Sequence, residues 1–251
     1  MDINVSCEKS SQVEALSGLD GIERIYSYDP PSEGKERWVQ LLPYIMRADT
    51  DISLDNEASG VLVRNYDELE YVKESGFDGQ IIADAGLYSF NSYSKKRFKS
   101  DGVGLDTVPL ELNFHEIKER GTEDSELVVY GRVPMMISAN CLYLTQNRKC
   151  GKNPKHGHNL ELIDRKKAQF PIFADCRYCY NIIYNSVPTS LHKDMDKVFM
   201  LEPASIRLAF TTEEAEETLR IADYFIKTIN GEDTEEFEAA YTKGHFRKGV
   251  E

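Results

Sequence analysis
Four of the five cysteines in this 251-residue chain fall between positions 141 and 179. Cys141, Cys150, Cys176 and Cys179 follow the spacing C-x8-C-x25-C-x2-C. Four soft donors gathered into about 40 residues are what a tetrahedral zinc or an iron–sulfur cluster takes. The two-residue gap between Cys176 and Cys179 lets neighbouring thiolates face one ion. The longer gap before them costs little to close, because loop entropy grows only logarithmically with length. Each of the four stands in or beside a polar loop, whereas Cys7 lies on a first strand near the amino terminus and reads as a small buried hydrophobe. Disulfide formation is the competing use of the same thiols.

Other chemistry-bearing side chains surround this stretch. Lys149 and Arg177 adjoin two of the cysteines, where a base lowers a thiol pKa or offsets the charge of a metal–thiolate centre; the competing reading is a pair of exposed loop bases. His156 and His158 in KNPKHGHNL are stand-in ligands or plain polar loop residues, and His192 follows after NSVPTSL. Arg148, Lys149, Lys152, Lys155, Arg165, Lys166 and Lys167 form a candidate basic patch or a solvated loop. Asp84 and Glu111 fall just past apolar runs, and Arg132 follows another with a fork that can grip carboxylate or phosphate. These three are the candidate catalytic residues, with structural ion pairing as the alternative role of each. His115 and His245 have no evident partner. The sequence holds no G-x-S-x-G, no H-E-x-x-H and no local Cys/His signature, so hydrolysis ranks below metal chemistry.

The elements that must position these groups read as alternating β-prone runs and helical patterns, which indicates βα units and a parallel sheet. Strands are predicted at Ile3–Ser6, Ile22–Tyr26, Gly60–Arg64, Gln80–Asp84, Val103–Thr107, Leu127–Tyr130 and Ile206–Phe210. Trp38–Ile45 is a strand or a helix turn, and Pro43 favours a strand end. Ser10 or Ser11, Asn65, Asn91 and Thr211 or Thr212 are the predicted N-caps, and Pro109 the first residue of a helix closed by Gly121. Eight strands in about 250 residues is the size of a TIM barrel, and pattern alone leaves an open doubly wound sheet as the alternative. The missing Gly-rich loop after the first strand weighs against dinucleotide binding. The reading is therefore an α/β fold, TIM-barrel-like (β/α)8, over residues 1–230. A cysteine-bearing cap insert, 141–190, follows the seventh strand as its longest loop, a length that is usually functional. Residues 231–251 read as a short acidic helix and a basic tail, a linker in character.

An apolar fraction of 41 % supports a sizeable core. No run approaches the roughly 18 apolar residues of a membrane span, and MDINVSCEKSSQ lacks the features of a signal peptide. A cytoplasmic protein with reduced thiols and no membrane contact is the expectation. The formal charge of −13 argues against polyanion binding over the whole surface, though not at a local patch.

LVVYGRVPMMISANC followed by FPIFADCRYCYNIIYNSVPTSL resembles the collagenase-like peptidases of family U32, most closely the carboxy-terminal half of the long bacterial members. GVLVRNYDELEYVKESG, ADAGLYSFNSYS, VPLELNFHEIKE, SIRLAFTTEEAEET and YTKGHFRKG fit the same resemblance, which thus spans nearly the whole chain. It implies a TIM-barrel-like fold and, for a chain matching one half, further domains in a longer protein. Despite the family name, several members resemble oxygen-independent hydroxylation proteins that carry a four-iron (4Fe-4S) cluster and act on RNA or on a small molecule. One departure stands out. A His-Gly-Ala-Leu-Cys run of the better-known members is here Tyr130-Gly131-Arg132-Val133-Pro134, so Pro134 replaces a cluster cysteine. The next ligand is kept as Cys141, in Ser138-Ala139-Asn140-Cys141, and Cys176 and Cys179 would complete the set. The resemblance favours an iron–sulfur cluster, with zinc as the alternative metal, and RNA or a small molecule at the barrel mouth as partner. A purely structural metal domain and a peptidase are the competing functions.

Overall fold
Short apolar strands separated by capped helices build the first of two units in this computed structural model, which describes residues 1–47, 50, 52–151, 157–234 and 240–250. In chain order the unit contains β1 (Asp2–Cys7), α1 (Ser10–Ser17), β2 (Arg24–Ser27), β3 (Trp38–Leu41), β4 (Gly60–Val63), α2 (Tyr66–Ser75), β5 (Gln80–Ala83), α3 (Ser92–Ser100), β6 (Val103–Thr107), α4 (Phe114–Arg120) and β7 (Ser125–Gly131). The chain then builds the second unit with β8 (Pro134–Ser138), α5 (Leu142–Asn147), β9 (His158–Ile163), β10 (Gln169–Asp175) and β11 (Tyr180–Tyr184). It returns through β12 (Thr189–Ser190), α6 (Met195–Leu201), β13 (Ser205–Phe210) and α7 (Ala215–Asn230). The first unit comprises Met1–Leu42, Ile52–Gly131 and Thr189–Glu251, and the second Pro43–Asp51 and Arg132–Pro188.

The first unit is a closed barrel. β1 through β7 pair in sequence order, all parallel, β13 pairs with both β7 and β1, and the eight strands form a ring. This decides between the barrel and the open sheet, and the eight predicted strands are its eight strands. Period-2 alternation then divides the side chains. Val61, Val63 and Ala83 pack with Leu69 and Val72 of α2 and Phe98 of α3. Tyr26, Val39, Leu41, Leu62, Ile82 and Leu105 form a separate cluster on the inner face. Gly131 ends β7 with φ 143, where a Cβ would meet the Ala209 carbonyl oxygen at 2.5 Å, so only glycine lets β7 and β13 approach there.

Caps explain where the helices start, and three starts differ from the sequence reading. Asn65 and Asn91 cap α2 and α3 as expected. α1 is capped from inside, by the Gln12 side chain accepting from the Glu8 and Lys9 amides, both at 3.1 Å, and not by Ser10 or Ser11. Pro109 opens a turn, and α4 begins only after Asn113, whose Oδ1 accepts from the His115 and Glu116 amides while Glu116 reaches back to the Asn113 amide. α7 starts after Glu214, since Thr211 is held by the Glu213 carboxylate. Past α7, the predicted acidic helix falls largely on residues 235–239, outside the described residues. Phe246 is buried against Phe114, and Thr242 bridges to Thr189 within the barrel unit.

The second unit is not a loop. Its strands form an antiparallel sheet in the order β8-β11-β10-β9, with Tyr180, Ile182 and Tyr184 as fully covered core and Tyr44, Ile45, Ile137 and Phe173 packed on them. Its extent is also wider than the cysteine-bearing insert, beginning at Arg132 and taking in Pro43–Asp51. Among the described residues no helix is long and apolar enough to cross a membrane.

Candidate functional site
The antiparallel connections of the second unit decide where its cysteines stand. Cys176 and Cys179 lie in the four-residue connection that closes the Asp175–Tyr180 pair, with Cys179 in the left-handed region at φ 56. Asp175 accepts from the Arg177 amide at 2.8 Å and takes its guanidinium at 2.6 Å and 3.1 Å. The Arg177 charge expected beside the thiols is thus balanced by a buried carboxylate. Arg47 donates to the Cys179 carbonyl at 3.0 Å. Cys141 caps α5, its Sγ accepting from the Leu144 amide at 3.4 Å. The buried Asn181 fastens that cap to the start of β11: its Oδ1 accepts from the Leu142 amide, and its Nδ2 donates to the Ser138 and Asn140 carbonyls.

Cys150 precedes Gly151, whose carbonyl accepts from His158 Nε2 at 3.0 Å, and the His158 ring stacks on Tyr143 of α5 with centroids 3.9 Å apart. His158 itself pairs with Ala174, one residue before the Asp175 that opens the cysteine turn. The end of β8, the start of β9 and the β10–β11 turn therefore lie at one end of the sheet. All four thiols are free, Cys141 and Cys176 half-buried and Cys150 and Cys179 exposed. Among the described residues no three His, Cys, Asp or Glu side chains are drawn together closely enough to hold a metal ion. Cys7 is buried as expected, and burial pushes its thiol well up.

The candidate basic patch divides. Arg148 and Lys149 stand at the cysteine end after α5, whereas Arg165, Lys166 and Lys167 form the β9–β10 turn at the other end of the sheet. Seven residues of β10 separate the ends, roughly 20 Å of strand. Lys152, Lys155 and His156 lie outside the described residues. Arg132 donates to the Asn185 and Ser186 carbonyls at 3.0 and 2.6 Å, which makes it a clamp on its own unit's exit loop. Glu111 sits half-buried in the turn between β6 and α4.

In the barrel unit Asp84 belongs to a buried charge cluster. Arg207 of β13 donates to Asp84 at 2.5 Å and faces Glu126 of β7 at 3.2 Å. Arg64, just past β4, stands 3.6 Å from the other Asp84 oxygen. Tyr26 and Asn4 donate to Glu126 at 3.0 and 2.6 Å, and the Arg207 guanidinium lies 5.4 Å from the Tyr26 ring centre. Burial raises the Asp84 carboxyl, but Arg207 and then Arg64 outweigh it and hold Asp84 below the usual carboxylate range. Burial and Glu126 push the Tyr26 phenol well up. A carboxylate held low by two guanidinium groups is a weak proton acceptor at neutral pH. Arg207, Glu126, Arg64, Asn4 and Tyr26 escape the sequence reading. Their signal was a polar residue at an inward position of an apolar strand, as in IRLAF and SELVVYG.

A Ser–His pair does occur: Ser190 Oγ and His192 Nδ1 are 2.7 Å apart. Ser190 is closed to solvent, and His192 is buried with Tyr241 and Tyr224 packed edge-on.

Strand order and site together define a (β/α)8 barrel protein that carries a cysteine-bearing antiparallel unit after its seventh strand. No family model matches the sequence, and no curated protein matches it. Among solved structures the chain is similar to the U32 peptidase Mk0906, at 10 % identity over 85 % of this chain and 94 % of that one, with a TM-score of 0.45. It is also similar to the spore cortex-lytic enzyme SleL of Bacillus megaterium QM B1551, at 11 % identity over 89 % and 73 % of the two chains, with a TM-score of 0.30. The barrel stands on its own strand pairing and not on these likenesses.

Proposed function
We propose that Cys141, Cys150, Cys176 and Cys179 bind one metal centre, a four-iron cluster in preference to zinc, in an enzyme of oxygen-independent hydroxylation acting on RNA or a small molecule. The observation that carries this reading is the shared end of the sheet onto which the three cysteine-bearing connections open. The donor set fits, since four thiols free of disulfides are what either metal centre takes. The ligands need a further inward turn to meet, which agrees with metal sites that form as the metal binds. Asn181, Arg47 and the Asp175–Arg177 pair would orient the thiols from outside the ligand set. A cluster in such a site would supply electron transfer.

A second reading, a structural zinc without catalysis, draws on the C-x2-C pair in a tight hairpin connection, a common arrangement in small zinc domains. The test is metal and sulfide analysis of protein purified without oxygen, with each cysteine replaced by Ser. Absorbance near about 400 nm, with iron and labile sulfide lost in all four variants, is the expected result. One zinc in a colourless protein would select the second reading, and full metal occupancy in both Cys176→Ser and Cys179→Ser would overturn the site.

A further inference from the structure
The turn after β5 exposes aromatic rings that the barrel does not use for packing. In Tyr88-Ser89-Phe90-Asn91-Ser92-Tyr93, the residues Tyr88, Phe90 and Tyr93 are 53 %, 42 % and 80 % exposed. The Tyr88 and Phe90 rings are parallel, with centroids 5.5 Å apart and planes 6° from one another. Tyr88 holds φ 57, a left-handed conformation that a tyrosine takes only when its surroundings enforce it. The enforcing group is Ser89, turned inward between the two rings and buried. Its Oγ accepts from Arg120 Nη2 at 2.6 Å and donates to Asp106, and its carbonyl accepts from Arg120 Nε. The Tyr88 amide donates to the Ala85 carbonyl and the Phe90 amide to the Tyr88 carbonyl, which completes the turn. The rings are therefore held outward on a pre-organised turn anchored in a buried ion pair.

The neighbouring helix α3 carries Lys95, Lys96, Arg97 and Lys99 and no acid, in a chain of net charge −13. Lys95 and Lys99 face Asp124, and Arg97 faces Asp101. Lys96 is exposed, with its Nζ over the Tyr93 ring at 5.8 Å. Exposed rings beside cations suit unpaired bases joined by phosphates, because every base has a π-face and the backbone needs positive charge. A sugar-binding platform would turn amides and carboxylates to meet hydroxyl groups, but the amide of this turn, Asn91, is engaged in capping α3, and the charged group set against a ring is Lys96.

We infer that Tyr88, Phe90, Tyr93 and Lys96 form a binding surface for single-stranded nucleic acid, with bases stacked on the rings and a phosphate at Lys96. This chooses the polymer within the substrate classes of the proposed function and rests on that reading for the reaction only. Binding by this surface is independent of the cysteines. The experiment is fluorescence anisotropy of the full chain with fluorescein-labelled oligouridylate and oligothymidylate of about 12 nucleotides, long enough for such a surface. Tyr88→Ala, Phe90→Ala and Tyr93→Ala should each weaken binding about tenfold. Lys96→Ala should weaken it less and lower its salt dependence. Unchanged melting curves and metal content would show that the variants fold, and Tyr93, the most exposed ring, serves as the variant least coupled to folding.

Preference for oligouridylate over oligothymidylate marks RNA, and equal binding marks single strands of either kind; both support the inference. No binding of either probe, or binding unaffected by Tyr88→Ala/Phe90→Ala, overturns it, as does binding of a proline-rich peptide or a cello-oligosaccharide in their place. Normal metal content with no oligonucleotide binding defeats this inference alone, whereas intact binding with no metal defeats the cysteine reading alone.

Discussion

At the scale of single residues, the barrel's buried carboxyls divide by their partners. Asp84 has two guanidinium groups and stays ionised, whereas Glu68 has mainly hydrogen bonds, from the Arg64 amide at 2.5 Å and the Asn65 side chain at 2.7 Å. Burial dominates for Glu68 and pushes its carboxyl up to about 7 from an ordinary 4.5, with Arg64 opposing. An acid raised on folding favours the protonated folded state. Its contribution to stability is full below about pH 4.5, falls as pH rises toward 7, and is level above that. The span is on the order of 3 kcal/mol. Glu68→Gln removes the titration, so urea melts at pH 5 and pH 8 should show the variant gaining on the parent at the higher pH. A difference between the two proteins that stays constant with pH would place Glu68 in the ordinary range. The cysteines were legible because a residue type and a spacing suffice to suggest a metal. Arg207 and Glu126 were not, since one charge in a short strand is ordinary until ring closure turns both against each other.

At the scale of elements, β6 and α4 are joined by a buried ion pair, Asp106 with Arg120. Ser125 donates to Asp106 at 2.8 Å, and Arg120 also donates to the Gly121 carbonyl at 2.9 Å. Removing one partner strands the other charge in a buried site, which costs about 3–5 kcal/mol. Arg120→Ala should therefore lower unfolding stability by that amount, whereas Arg97→Ala, on the exposed Arg97–Asp101 pair, should cost under about 1 kcal/mol. Equal losses in chemical denaturation would show that the buried pair is not the anchor drawn here. The sequence reading placed all eight barrel strands because each is a short apolar run between turn residues. It read the second unit as a loop for a physical reason. Pro171 interrupts β10 in the middle of the sheet, where proline is rare, and β9 alternates apolar with polar residues over only six positions. Its sheet is recognisable only when all four strands pair.

At the scale of the whole molecule, the two units differ in charge and in the depth of their cores. Ten Lys or Arg residues stand against five Asp or Glu in Pro43–Asp51 and Arg132–Pro188, while the chain as a whole carries −13. The acidic balance read from composition thus belongs to the barrel, and the cysteine unit is cationic, which suits a negatively charged thiolate centre. Among the described residues its buried apolar cluster is Tyr180, Ile182 and Tyr184, against the larger clusters of the barrel. A unit of about 65 residues with so small a core is marginal by itself and would gain most from the metal proposed above. Metal that binds only the folded unit stabilises it by mass action and leaves the barrel's own stability unchanged. Protein stripped by chelation should then melt in two steps, the lower one rising with added metal and the upper one fixed. Brief proteolysis of the stripped form should cut within residues 132–188 before any barrel strand. A single transition that moves as a whole, or first cuts in the barrel, would mean that the metal centre stabilises both units as one.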